Sequence, residues 1–113
     1  GENRLVLSIP PVLSPVKAAI LPLTKKDGLP EKAKEILKSL QYDFNCQYEE
    51  KDSIGKRYRR QDAIGTPYCI TVDHQSLEDQ TVTLRNRDTM QQERIAVEQL
   101  QSLISKKVGL NSH

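Results

Sequence analysis

The 113-residue sequence contains no tryptophan, and aromatic residues make up only 4% of it. It has two cysteines, Cys46 and Cys69, far apart in the chain, and two histidines, His74 and His113. With no CxxC spacing and so few histidines, neither a disulfide framework nor a zinc site is encoded, and the cysteines read as buried free thiols. No run approaches the roughly 18 apolar residues of a membrane-spanning helix. The start, Gly1-Glu2-Asn3-Arg4, lacks the charged and apolar regions of a signal peptide. The expectation is a soluble, cytoplasmic protein with no membrane partner. Nucleophilic catalysis is poorly served: His74 falls in an expected loop, His113 at the terminus, and no G-x-S-x-G elbow occurs. A phosphate-binding loop is equally weak, since the stretch Thr24-Lys25-Lys26-Asp27-Gly28 carries a single glycine.

The chain does contain an uneven distribution of positive charge. Seventeen basic residues face fifteen acidic ones, for a net charge of +2. Six of the seven arginines lie in two short stretches, Lys56 to Asp62 and Arg85 to Arg94, while nine of the ten lysines lie elsewhere. A flat, forked guanidinium suits phosphate oxygens and the planes and edges of nucleobases better than an ammonium does.

Hydrophobic patterning predicts an α/β fold with a mixed, mostly parallel five-stranded sheet flanked by three helices. The prolines at 10, 11 and 15 make residues 1–15 an incoming linker. Val16 to Leu23 is nearly continuous apolar chain, as in a strand buried on both faces. A helix from about Pro30 to Gln41 follows, with Ala33, Ile36, Leu37 and Leu40 at helical spacing. Phe44, Cys46 and Tyr48 alternate with polar residues, as in an edge strand. A second helix starts at a cap on Asp52 or Ser53 and stops before Gly65 and Pro67. Tyr68 to Val72 is a third strand. The six residues from His74 to Asp79 are too few for a crossover helix, so Gln80 to Arg87 should pair antiparallel. A short strand near Glu93 to Ala96 and a helix carrying Val97, Leu100, Leu103, Ile104 and Val108 close the domain, which spans 16–108. Residues 109–113 are expected to be a frayed tail.

Within the second helix, Ile54 and Tyr58 can face the sheet while Arg57, Arg60 and Gln61 share another, exposed face. In the fourth strand, Thr81, Thr83, Arg85 and Arg87 form one polar side. Asp73 and Glu78 lie just beyond a strand's carboxyl end, where ligand sites occur in open α/β sheets, and can accept hydrogen bonds from a cytosine amino group. Tyr48 and Tyr68 are candidates for base stacking or for core packing.

The motif Gly55-x-Arg57-Tyr58-x-Arg60-x-Asp62-x-Ile64-Gly65-x-Pro67, with Thr71-Val72-Asp73 and Thr81-Val82-Thr83-Leu84-Arg85-Asn86-Arg87-Asp88, resembles the C-terminal anticodon-binding domain of class II aminoacyl-tRNA synthetases. Within that family the dimeric glycyl branch is the nearest in pattern. Val12-x-Ser14-Pro15-Val16-Lys17-Ala18-Ala19-Ile20-Leu21-Pro22-Leu23 extends the likeness to the start of the domain. The resemblance implies that Arg85 reads an anticodon base, with Arg87 beside it. It also implies that Arg57 and Arg60 contact phosphate or base, and that Asp62 orients them or holds the helix. The implied partners are the anticodon stem-loop of a glycine tRNA and an upstream catalytic domain in the same chain. The parent would be a homodimer that joins glycine to tRNA with ATP and magnesium; this segment would need no cofactor of its own. An accessory or protein-interaction module that has kept the fold and lost tRNA recognition is the alternative, as is, more remotely, a small α/β enzyme.

Overall fold

A computed structural model describes residues 16–108; the expected linker 1–15 and tail 109–113 lie outside the described residues, as does the core position expected for the Val108 side chain. The elements are β1 (Ala18–Pro22), α1 (Leu29–Leu40), β2 (Cys46–Tyr48), α2 (Ile54–Ala63), β3 (Tyr68–Val72), α3 (His74–Asp79), β4 (Thr81–Asn86), β5 (Gln92–Ala96), a 3-10 turn (Val97–Gln99) and α4 (Leu100–Val108). The sheet order is β2-β1-β3-β4-β5. β1 pairs parallel with β2 and β3, and β4 pairs antiparallel with β3 and β5. The mixed five-stranded sheet read from the sequence is therefore present. The three longer helices are joined by a fourth, short one.

That short helix corrects the expected loop at His74. Asp73 accepts from the Ser76 backbone N–H while Ser76 Oγ accepts from the Asp73 N–H, a reciprocal capping box that nucleates one and a half turns. Gln80, in the left-handed region at φ 59°, ends it. The helix does not act as a crossover, so the antiparallel return into β4 stands.

The two faces of the sheet are filled differently. On one, Ile20, Ile70, Val82 and Leu84 pack with Leu29, Ala33, Ile36 and Leu40 of α1 and Leu100 and Ile104 of α4, all buried. Each of the Val, Leu and Ile side chains contributes about 1.5 to 3 kcal/mol by leaving water. On the other, Ala19, Leu21 and Cys69 form a small cluster under Ile54 and Tyr58 of α2. Gly65, at φ 85°, lets the chain turn back after α2, its N–H donating to Asp62 O. Cys69 is buried and Cys46 half-buried, both free; burial pushes their thiols up to about 12 and about 11.

Candidate nucleic-acid interface

The arginines of the two stretches divide into a locked group and an accessible group. Arg57 is only 3% exposed. Its Nη1 donates to Pro22 O at 2.6 Å and to Glu49 O at 3.2 Å, and its Nη2 reaches Leu23 O at 3.4 Å. It thus ties together the carboxyl ends of β1 and β2, whose last carbonyls have no further strand to bond. Burial lowers its pKa from the ordinary arginine value. Gln61 is also buried; its amide donates to Gln47 Oε1 at 3.0 Å and to Glu49, and its Oε1 accepts from Thr66 Oγ1. The expected exposed face of Arg57, Arg60 and Gln61 is therefore corrected. The polar side of α2 lies over the wet side of β2, and two of its three residues are consumed there.

Arg60 remains near solvent, with its side chain 45% exposed. Its Nε bonds Glu49 Oε1 at 2.9 Å and its Nη1 bonds Asp52 Oδ2 at 2.9 Å. Those hydrogen bonds, Glu49 first, raise its pKa, and its bond to Asp52 holds that carboxyl below the usual range. It borders a pocket of about 430 Å³ lined by Tyr48, Glu49, Glu50, Lys51 and Asp52. Tyr48 there donates to Glu50 Oε1 at 2.6 Å, with Lys34 Nζ 5.4 Å from the centre of its ring. Tyr68 is buried in the core, which leaves it no free ring face for a base.

The second correction concerns β4. Arg85 and Arg87 do project from the polar side, yet α2 covers them. Arg85 forms a bidentate pair with Asp62, at 3.0 and 3.2 Å, and lies 4.7 Å from the centre of the Tyr58 ring. The Tyr58 hydroxyl is in turn 2.6 Å from Thr71 Oγ1. The Asp62 hydrogen bonds raise the Arg85 pKa further. Arg87 donates from Nε to Asp62 O at 3.0 Å and from Nη1 to Asp88 Oδ1 at 3.1 Å. Asp62 thus clasps both arginines, one by its carboxylate and one by its carbonyl.

Beyond this seam the polar side of the sheet carries Thr81 and Thr83 of β4, half-buried, and Gln92 and Arg94 of β5, exposed. Thr83 stands directly opposite Arg94 in the register, and Arg85 opposite Gln92. Arg94 donates to Thr81 Oγ1 at 2.9 Å and to Asp73 Oδ2. Asp73 therefore serves both as the cap of α3 and as the counter-charge of Arg94. Glu78 projects to solvent from α3. Lys25 and Lys26 after β1, Lys51 after β2, and Lys56 and Arg59 on α2 are exposed as well. Among the described residues no group of three or more His, Cys, Asp or Glu side chains is arranged to hold a metal ion. The sequence reading does not single out Arg94, although the β4–β5 hairpin register pairs it with Thr83 on the arginine-bearing side. Counting back from the turn would have placed it there.

A family model described as an anticodon binding domain matches residues 17–107. The chain belongs to the anticodon-binding domain family. It is 53% identical over 108 residues to a glycine–tRNA ligase of Borrelia hermsii, covering 96% of this chain and 24% of that protein. It is 56% identical over 108 residues to one of Clostridium tetani, covering 96% and 23%. The RNA binding domain of threonyl-tRNA synthetase from Cryptosporidium parvum superimposes with a TM-score of 0.78 at 26% identity, over 88% of this chain and 25% of that one. The chain thus spans about a quarter of the length of these relatives. That RNA binding domain shares the fold described above, and the glycyl branch read from the sequence agrees with the names of the two ligases.

Proposed function

We propose that this domain recognises the anticodon stem-loop of a glycine tRNA as one part of a longer glycine–tRNA ligase. The observation that carries the reading is the match along 96% of the chain to proteins of that name. It favours the tRNA reading over an accessory module of the same fold. In the longer protein, catalysis with ATP and magnesium belongs to a separate catalytic domain of the same chain. The parent is a homodimer of the cytoplasm in this reading.

The polar side of β4 and β5 is the surface we assign to the RNA. Glu78 faces solvent on the short helix α3, Arg60 lies beside β2 at the opposite edge of the sheet, where only RNA that passes over α2 would reach it, and the exposed lysines supply sequence-independent attraction to phosphates. Arg57, Arg85, Arg87 and Asp62 shape and stiffen the surface from beneath, with Asp73 setting its outer corner. Titration of labelled glycine tRNA, and of the same tRNA with an altered anticodon, into the parent protein tests the assignment. A clear preference for the native anticodon is expected. Equal affinity for both would return the domain to the accessory reading.

A further inference from the structure

Arg85 and Arg94 project from the same side of the sheet, and each is tethered by one carboxylate, Asp62 and Asp73 respectively. They differ in what lies over the guanidinium. Arg85 packs on the Tyr58 ring, with 10% of its side chain exposed. Arg94 has 29% of its side chain exposed and reaches across Thr81 and Thr83, at 2.9 and 3.4 Å from their hydroxyls. Three of its five N–H donors, on Nη1 and Nη2, go to Thr81, Thr83 and Asp73, which fixes the plane of the guanidinium. A plane held in place this way offers its flat face, on which an unpaired base stacks favourably.

The geometry points to Arg94 as a stacking platform for one unstacked nucleotide of the bound RNA, held ready by Asp73, Thr81 and Thr83. This rests on the RNA-binding reading above and adds to it a named residue and a mode of contact. Because every base has a flat face, the platform adds affinity without selecting among bases. Base choice must then come from groups beside it.

The test uses the full chain and an RNA hairpin carrying the anticodon loop of a glycine tRNA, with the fluorescent base 2-aminopurine placed at each loop position in turn. The chain should change the fluorescence of one position strongly. Arg94→Lys keeps the charge and can keep its bond to Asp73 but loses the plane. It should bind about tenfold more weakly, within the range expected for one base–side-chain stack. Its melting temperature and the slope of affinity against salt should match those of the parent, and the fluorescence change at that position should vanish. Arg94→Ala should lower the slope only if the charge also meets a phosphate. Parent-like affinity and fluorescence in the lysine variant would overturn the platform. So would a weakening confined to the salt slope, since that marks a charge contact. If the parent chain fails to bind any such hairpin, the RNA reading itself falls.

Discussion

Arg85 and Arg94 lie nine residues apart in the chain and on one side of one sheet, yet they serve different ends. The first sits where α2 crosses the sheet and is buried between Asp62 and Tyr58. The second sits on the neighbouring strand, β5, where Thr81, Thr83 and Asp73 are its partners and more of its side chain is exposed. The difference shows that an arginine-rich motif need not be a contact surface throughout. Here most of the motif builds a stiff support, and a smaller part faces outward. In water a lone surface ion pair contributes little, whereas removing one partner of a buried pair leaves a charge that is costly to strand.

Stability measurements can break or sharpen this contrast. Arg57→Met keeps the apolar stem and deletes the donors to three carbonyls, two at the ends of parallel strands. It should cost about 3 kcal/mol, read from urea denaturation midpoints. Asp62→Ala strands the Arg85 guanidinium and should cost about 2 kcal/mol by the same measurement. Arg94→Ala should cost at most about 0.5 kcal/mol. If Arg94→Ala proves as damaging to the fold as Asp62→Ala, the division into support and surface is wrong.

Acid titration gives a smaller and more local test. Burial raises the Asp73 pKa, but hydrogen bonds from Arg94 and Ser76 outweigh it and hold the carboxyl below its ordinary value. A depressed folded-state pKa means that this stabilisation is complete above the unfolded value of about 3.9 and is lost as the pH falls through the folded one. The urea midpoint of the parent should therefore drop below about pH 4. Asp73→Asn, which keeps the cap and lacks the titrating group, should show a shallower drop.

The strands were legible because burial on two faces leaves a continuous apolar run, as in β1 and β3. The helix α2 was legible from Ser53 at its start and Gly65 past its end. What escaped was where its arginines go. Sequence spacing puts Arg57 and Gln61 on one side of a helix but cannot reveal that β2 ends there with carbonyls in need of donors. Likewise, alternation put Arg85 on the polar side of β4 without showing that the last turn of α2 lies over it. The capping box that makes α3 is local, Asp73 with Ser76, and could have been read directly. The shortness of the segment argued against it.

In the proposed function, RNA meets the open polar half of the β4–β5 sheet, beside the arginine-packed seam with α2. The most direct measurement is backbone amide NMR of the full chain titrated with the glycine anticodon hairpin. The account predicts the largest shifts at Thr81, Thr83, Gln92, Arg94 and Asp73, with little change at Ala33, Ile36 and Ile104 across the sheet. Shifts concentrated on the α1 and α4 side, with β4 and β5 silent, would contradict it.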